Sequence, residues 1–382
     1  MKGSKFSRRD LLIGSSALAA GAAFSTKVLS AAPPASAITP ALIEAAKKEG
    51  KVVWYTSVDL PLAEKVAKAF EAKYPGVAVR VERSGAERVF QRIGQEYASN
   101  IHAADVANSS DAAHFIVWKK GNLLKAYVPE DVGKFYPAEH KDPDGMFASF
   151  RVWVCIIAYN TNLVKKEEAP KSFADLLDPK WKGKIVKAHP GYSGTIMTAT
   201  YQMQRDLGWG FFEKLAAQNI MQVQSSADPP KRLALGERAV MADGNEYNIF
   251  QIKEKDGPVE PVYATEGSPL IVGPTGMFKA APNPNAARLF CNYSFTPECQ
   301  QLIIDTGGLR SMHPSTKEKA GRTPFKNIKT MKDDPAAVEK MSDEIKQHYS
   351  KIFTCDFQHR HGRACPGHDG AGCRSMQKIE MP

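Results

Sequence analysis

The chain has 382 residues, a formal net charge of +10, and 43% hydrophobic and 24% charged residues. This length exceeds what one ordinary hydrophobic core needs, so we expect two domains. The composition is typical of a soluble globular protein. Past the N-terminus there is no apolar run of about eighteen residues, and there is no basic block with interleaved aromatic residues, so neither a membrane-spanning body nor a nucleic-acid partner is expected.

The first 37 residues have the pattern of an export signal, with a basic start, a weakly apolar stretch and small residues. The pair Arg8-Arg9 in "SRRDLL" is similar to a twin-arginine signal, which implies export of an already folded chain. An ordinary secretory signal is the alternative. "ASA" at 35–37 is the expected cleavage site, and "LSA" at 29–31 is the alternative site. Because the signal carries five basic residues and one acidic residue, the mature chain, which we expect in a bacterial periplasm, keeps a charge of about +6.

From residue 51 the chain alternates strands with helices. Short apolar runs suited to buried strands are "KVVWYTS", "VAVRVERSG" and "ADVANSS". Apolar residues at helical spacing follow the first two runs, in "LPLAEKVAKAFEAKYPG" and "AERVFQRIGQEYASN". Three such alternations within about seventy residues predict an α/β domain with a largely parallel sheet.

The second half of the chain predicts another α/β lobe. "RVWVCIIAYNTNLV" is a long strand that crosses between lobes near Ala158, and "VYATEGSPLIVGPTGMFK" is suited to the return crossing near Glu266. We therefore predict two lobes hinged by two crossing strands. Lobe 1 is discontinuous and covers 38–157 and 267–353, and lobe 2 covers 158–266. Ligands of open α/β sheets bind at the carboxyl ends of strands, so the predicted site lies in the cleft between lobes.

The six cysteines do not form a disulfide framework. Cys155 lies in an apolar run and reads as a buried small hydrophobe. Cys291 and Cys299, on one predicted helix, would be about 12 Å apart along its axis, too far for a disulfide. Residues 325–353 are predicted to be helical. The tail 354–382 is rich in Cys and His, but its spacing fits no common metal pattern, so we expect a disordered extension.

Several stretches of the chain carry a resemblance to a known family. They are "KVVWYTS", "AYNTNLV", "DLLDPKWKGKI" and "NPNAARLFCNYSFTPECQQLI". The chain resembles periplasmic solute-binding proteins of ABC importers over residues 38–353. The ferric-ion-binding group is the most similar, and its wider relatives bind thiamine, phosphonates, polyamines and sugar phosphates. This resemblance implies the two-lobe periplasmic binding protein fold of type II, a non-catalytic monomer, and delivery of ligand to an inner-membrane permease.

The resemblance also implies a ligand set, which this sequence matches in part. Where the ferric-binding group has a His, a Glu and two adjacent tyrosines, this chain has Asp59, Ser110 followed by Asp111, and Glu246-Tyr247. Asp59, Glu246 and Tyr247 are hard oxygen donors that could hold ferric iron as cargo with a bound anion. The alternative is a small anionic solute, such as a phosphorylated organic compound, or thiamine, bound without a metal. No resident cofactor is expected.

A second feature of the same family is an anion-binding turn at a helix start, and the stretch "HPGYSGT" places Ser193, Gly194 and Thr195 there. Free amides at a helix N-terminus favour an anion, although Ser and Thr also cap helices without any ligand. The remaining candidate ligand-binding residues lie at strand ends or in the neighbouring loop: Ser57, Ser84, Ser109 and Ser225. A distant alternative is an exported serine hydrolase, but "GYSGT" lacks the last glycine of the G-x-S-x-G nucleophile motif.

Overall fold

The computed structural model describes the backbone of residues 32–360 and the side chains of residues 32–353. The expected export signal lies outside the described residues except for its last part, 32–37. The predicted tail also lies outside them after residue 360, but its first residues, 354–360, continue a helix. None of the helices in the described part of the chain has the length and apolar character required to cross a membrane.

The helices follow the apolar spacing of the sequence. The first begins where Thr39 accepts a hydrogen bond from the Leu42 amide and ends at Gly50, whose φ of 74° closes it in the left-handed region. The α-helices of the described residues are α1 (Pro40–Glu49), α2 (Leu60–Lys73), α3 (Ala86–Ala98), α4 (Ala113–Lys120), α5 (Glu130–Phe135), α6 (Gly194–Leu207), α7 (Trp209–Ala217), α8 (Asp228–Ala234), α9 (Glu246–Lys253), α10 (Pro284–Phe295), α11 (Pro297–Gly307) and α12 (Pro335–Arg360).

The described strands form one continuous mixed sheet. The path through it is β2-β1-β3-β10-β5-β8-β6-β7, with β4 and β11 paired to β10 and with β9 paired to β5. The strands are β1 (Lys51–Thr56), β2 (Ala78–Arg83), β3 (Val106–Asn108), β4 (Leu124–Lys125), β5 (Ala148–Asn160), β6 (Ile185–Ala188), β7 (Met221–Val223), β8 (Val240–Asn245), β9 (Val259–Val262), β10 (Ser268–Phe278) and β11 (Thr330–Met331).

Strand β5 connects the two halves of this sheet. Between Ala148 and Val154 it pairs with β10, and from Cys155 to Asn160 it pairs with β8 and β9. All of β5 is buried, as the apolar run from Val152 to Tyr159 within it predicts. Within each half the outer pairs, β1 with β2 and β3, and β6 with β7 and β8, are parallel. We call the half with β1–β4 lobe 1 and the half with β6–β9 lobe 2.

Each lobe has its own aromatic core. In lobe 1, Trp54 packs against Phe150 and Phe290, with ring centroids 6.3 and 5.1 Å apart. In lobe 2, the core contains Phe173, Trp181, Phe211 and Phe212. Helix α12 packs against α4 of lobe 1 and against α6 and α7 of lobe 2, so it contacts both lobes.

Two predictions of secondary structure are wrong. The helix predicted for 325–353 begins only at Pro335, because a short 3-10 turn and strand β11 occupy the residues before it. Cys291 and Cys299 lie on two helices, α10 and α11, because Pro297 cannot continue the first helix and starts the second. Both thiols are free and buried, as is that of Cys155.

Candidate functional site

A polar cavity of about 410 Å³ lies between the lobes. Residues from both lobes line it, and they include many of those that the sequence predicts. The predicted residues that line the cavity are Ser57, Asp59, Ser110, Ser193, Thr195, Ser225 and Tyr247. A cavity of this size fits a small-molecule ligand.

The lobe 1 side of the cavity is formed where parallel strands end. Ser57 and Asp59 follow β1, Arg83 ends β2, and Ser110 follows β3. The carboxyl ends of parallel strands meet at one edge of a sheet, which explains why these residues lie together. An Arg83 Nη2 lies 3.7 Å from an Asp59 carboxylate oxygen, so that pair is loosely held and open to competition by a ligand.

The lobe 2 side presents the N-terminus of α6. Ser193 caps this helix, and its hydroxyl accepts a hydrogen bond of 3.4 Å from the Ile196 amide. The Met197 amide donates to the Ser193 carbonyl. The first amides of a helix have no partner within the helix, so that of Thr195, which lines the cavity, can donate to an anion there. The stretch "HPGYSGT" therefore forms both a helix cap and a potential anion seat.

The site contains a residue that the sequence analysis missed. Arg151 lies on β5, is only 2% exposed and lines the cavity. One Nη atom donates to the Ser57 hydroxyl at 3.0 Å, and the buried Nε has no hydrogen-bond partner. Burial lowers the pKa of Arg151, while Tyr247 and Asp59 favour its charged form. The available signal is a charged residue at the beginning of the apolar run "RVWVCIIAY", because a buried charge needs a partner.

Tyr247 is held in the cavity by its neighbours. Trp153 donates through its indole N–H to Asn245 Oδ1 at 3.0 Å, and Asn245 Nδ2 donates to the Tyr247 hydroxyl at 3.1 Å. The Tyr247 hydroxyl thus accepts from Asn245 and keeps its own hydrogen for a ligand oxygen. Burial raises the pKa of Tyr247 far above its usual range, with the Asp59 charge adding to the shift, so this hydroxyl stays protonated.

Five predicted residues do not line the cavity: Ser84, Ser109, Asp111, Gly194 and Glu246. The Ser109 hydroxyl forms a hydrogen bond of 2.8 Å with His114 Nδ1. Gly194 is where the lobes touch, since a Cβ built on it would be 2.7 Å from the Asp111 Cβ.

Glu246 is fully buried and bound elsewhere. It accepts from Arg310 Nη2 at 2.6 Å and from the Tyr263 hydroxyl at 2.5 Å, and an Arg322 Nη2 lies 2.6 Å from its other oxygen. The predicted metal ligands Asp59, Glu246 and Tyr247 are therefore not brought together. Asp59 and Tyr247 line the cavity, whereas both oxygens of Glu246 are engaged by arginines.

Another group of potential metal ligands includes Glu87, which lines the cavity, and Asp111 and His114, which do not. Oxygen or nitrogen atoms of Glu87, Asp111 and His114 lie within 4.8 Å of one another. However, His114 Nε2 is 3.2 Å from Glu87 Oε1, and Lys346 Nζ is 3.3 Å from Glu87 Oε2. The lysine supplies the positive charge that a metal would bring. We therefore interpret this group as an ion-pair network that connects α3, α4 and α12.

Comparison with known proteins identifies the relatives of this chain. A family model described as "Bacterial extracellular solute-binding protein" matches residues 105–331. A probable ABC transporter periplasmic-binding protein of Sinorhizobium fredii is 22% identical over 294 residues, covering 74% of this chain and 81% of that protein.

Solved structures show the same architecture. The periplasmic binding protein AfuA of Actinobacillus pleuropneumoniae, with exogenous fructose-6-phosphate bound, is 25% identical with a TM-score of 0.73, covering 80% of this chain and 99% of that one. Iron-bound HitA of Pseudomonas aeruginosa is 21% identical with a TM-score of 0.70, covering 79% and 99%. These likenesses confirm the predicted two-lobe type II fold.

Proposed function

The chain belongs to the bacterial extracellular solute-binding protein family, and on that premise we propose that it captures a phosphorylated organic solute for an ABC importer. Proteins of this group pass their ligand to an inner-membrane permease. The observation that carries the choice of ligand is Arg151, a buried cation that lines the cavity. The likeness to AfuA, which has a sugar phosphate bound, supports this ligand class.

Charge balance favours an anion next to Arg151. Among the described residues no carboxylate forms an ion pair with this guanidinium, and its Nε lacks an acceptor. A buried charge without a counter-charge is unfavourable, and a phosphate monoester carries roughly −1.5 to −2 charges at neutral pH. The planar guanidinium can donate two parallel hydrogen bonds to phosphate oxygens. Asp59 lies near enough to favour the charged form of Arg151, but it pairs with Arg83. A phosphate would therefore supply the ion-pair partner and the acceptor that Arg151 lacks.

The remaining polar groups can complete the phosphate site. The amide of Thr195, which lines the cavity, lies at the positive end of the α6 dipole, which stabilises negative charge. The hydroxyls of Ser57, Ser110 and Tyr247 line the same cavity. Neutral donors of this kind bind an anion without leaving a buried charge when the ligand departs.

The organic part of the solute would contact the rest of the lining. Gln91, Gln224, Ser225, Ser226 and Asp228 are hydrogen-bonding residues at the cavity surface. Such side chains suit a hydroxylated carbon skeleton, since each can donate to or accept from a sugar hydroxyl. We therefore infer a sugar or polyol phosphate rather than an apolar ester.

The ligand would be held by closure of the two lobes. Ser57, Ser110 and the start of β5 belong to the lobe 1 side, whereas Ser193, Thr195 and Tyr247 come from lobe 2. An anion that contacts both sides stabilises the closed form relative to the open form, and a permease can distinguish the two.

Ferric iron is the second candidate, supported by Asp59 and Tyr247 in the same cavity. The positive charge of Arg151 opposes a cation there unless an anion binds with it, and Glu246 is engaged by Arg310. The same repulsion opposes the thiazolium cation of thiamine.

A serine hydrolase has less support. The Ser193 hydroxyl hydrogen-bonds to the Ile196 amide, and among the described residues no histidine bonds to it. His189 Nδ1 instead accepts from the Gly191 amide at 2.9 Å, and burial lowers the pKa of His189 to about 4.

Thermal unfolding in the presence of candidate ligands tests the proposal. A sugar phosphate such as fructose 6-phosphate at roughly 100 times its dissociation constant should stabilise the protein by about 2.7 kcal/mol. Fructose and inorganic phosphate, each lacking half of the ligand, should give smaller shifts. A visible tyrosinate-to-iron absorbance on adding ferric citrate, without any shift by phosphorylated solutes, would replace this proposal with the iron alternative.

A further inference from the structure

The segment 32–37, which we call the N-terminal segment, is bound to the folded body of lobe 1. The Ser36 amide donates to the Val128 carbonyl at 2.9 Å, and Ser36 forms a parallel bridge with Pro129. The expected cleavage site "ASA" consists of residues 35–37, so its middle residue is part of this bridge.

The body of the protein is also shaped to the N-terminal segment. A Cβ built on Gly133 would lie 2.5 Å from the Ala35 Cβ, and one built on Gly145 would lie 3.1 Å from the Pro33 Cδ and 3.2 Å from the Ala32 Cβ. Glycine at these two positions thus gives the segment the room that it occupies. Ala32, Pro33 and Ala35 form one wall of an apolar cavity of about 520 Å³. The removal of these residues would take away that wall of the cavity and expose more of its apolar lining to water.

Cleavage after residue 37 would create an unfavourable terminus. The new ammonium group would be on Ile38, one residue before Thr39, which caps α1. The N-terminal end of a helix carries a partial positive charge, so an ammonium there is repelled. Ile38 also packs against the lobe 1 core, which would draw the charged terminus towards apolar surface.

We propose that the export signal is removed after Ala31, so that the mature protein begins at Ala32 and keeps the N-terminal segment. Hydrolysis of the peptide bond between Ala31 and Ala32 adds one water, leaving a carboxylate on the signal and an ammonium on the mature chain. A signal peptidase requires small residues before the scissile bond in an extended, accessible chain. The site "LSA" at 29–31 meets the first requirement and precedes every contact of the segment.

This proposal does not depend on the identity of the ligand. It does depend on export. If the chain folds before cleavage, the bond after residue 37 becomes harder for a peptidase to reach. If the chain crosses the membrane already folded, as its Arg8-Arg9 pair predicts, the bond after residue 37 is protected by the Ser36–Val128 hydrogen bond.

Intact-mass and N-terminal analysis of the exported protein tests the proposal. The full chain is expressed with its own signal in a bacterium that has the twin-arginine and general secretory routes, and the periplasmic fraction is collected. A mature chain that begins Ala-Pro-Pro-Ala-Ser supports the proposal. A chain that begins Ile-Thr-Pro, any other terminus, or an unprocessed chain overturns it.

A matched pair of variants identifies the peptide bond that the signal peptidase cleaves. Ala31→Leu and Ala37→Leu each place a large residue directly before one of the two candidate bonds. The first should abolish release at Ala32, and the second should leave the mature mass shifted only by the substitution. Because Ala37 is exposed, its replacement does not disturb the core. Loss of processing by Ala37→Leu would contradict the proposal.

Discussion

Two buried arginines of this chain, Arg151 and Arg310, differ in what surrounds them. Arg310 donates to Glu246 through Nε at 3.0 Å and Nη2 at 2.6 Å, and to Glu318 through Nη1 at 2.8 Å. Arg151 donates to the hydroxyl of Ser57 and leaves its Nε without an acceptor. The difference teaches that burial of a charge does not by itself define its role. Arg310 is neutralised by carboxylates of the fold, whereas Arg151 has no ion-pair partner among the described residues.

The largest effect on stability is expected when the ion pairs around Glu246 are broken. Glu246→Gln removes the negative charge that two buried arginines share, and loss of one partner of a buried pair typically costs about 3–5 kcal/mol. The free energy of unfolding, measured with a chemical denaturant, should fall by that amount. As a control, Glu260→Gln disrupts an exposed pair with Lys253 and should change stability by no more than about 0.5 kcal/mol. Equal losses of unfolding free energy in the two variants would show that the buried ion pairs of Glu246 stabilise the fold no more than an exposed pair does.

Replacement of Arg151, which has no ion-pair partner among the described residues, should not lower stability. Arg151→Met removes a buried charge that has no partner, so stability should be unchanged or higher. The affinity for a sugar phosphate should fall about 100-fold, or about 2.7 kcal/mol, as measured by calorimetry. Arg88→Met is the matched control, because Arg88 lines the same cavity but is exposed and screened by water. A variant of Arg151 that unfolds easily but binds normally would show that this residue is structural.

The same two arginines show what the sequence could predict. The strand and helix pattern, the crossing strand β5 and the strand-end residues Ser57 and Asp59 follow from local apolar periodicity. Arg151 does not, because its place depends on how β5 pairs with β10, more than a hundred residues away. Ser109 and Ser110 lie in the loop after β3, where the sequence does not define the direction of each side chain, and only Ser110 lines the cavity while Ser109 bonds to His114.

Glu246 and Tyr247 show the same limit at the start of a helix. They are adjacent in the sequence and were predicted to act together on a metal. Helix α9 begins at Glu246, and consecutive residues of a helix point about 100° apart. Tyr247 therefore lines the cavity, and Glu246 reaches the arginines. Whether two adjacent residues share a site can be predicted only when the backbone conformation between them is known.

Asp333, a half-buried carboxylate with no ion-pair partner among the described residues, extends the comparison to the opposite charge. Burial and the nearby Asp111 raise the pKa of Asp333 to about 7. Between about pH 4 and 7 the folded state keeps a proton that the unfolded state has released, so stability falls as the pH rises through this window. Asp333 is only half-buried, so solvent screening should reduce the effect of this shift on stability. Asp333→Asn should therefore add about 2 kcal/mol at pH 8 and nothing at pH 4.

Urea unfolding from pH 4 to 8 checks this prediction. The Gln202 side chain can still donate to the amide oxygen of the variant, so only the charge is changed. Asp343→Asn, on the exposed side of α12, is the control and should follow the wild-type curve. If the unfolding free energies of wild type and Asp333→Asn change with pH in parallel from pH 4 to 8, the pKa of Asp333 is not raised. A cation then pairs with this carboxylate in solution.

The smallest expected effect concerns the distance between the two lobes. A Cβ on Gly194 would meet the Asp111 Cβ at 2.7 Å and the Ala86 Cβ at 3.2 Å, and both lie on lobe 1. Gly194→Ala should hold the lobes apart, which moves the α6 amides away from Arg151 and weakens sugar phosphate binding about tenfold, or about 1.4 kcal/mol. Stability should not fall, because alanine is favoured over glycine in a helix.

Gly210→Ala, in α7, introduces the same methyl group where no atom lies within 4 Å, so its affinity should equal that of the wild type. Small-angle scattering with saturating ligand should show a larger radius for Gly194→Ala alone. If both variants bind equally well, the anion is bound by one lobe. Arg151 would then need no contribution from α6, and closure would serve recognition by the permease rather than affinity for the ligand.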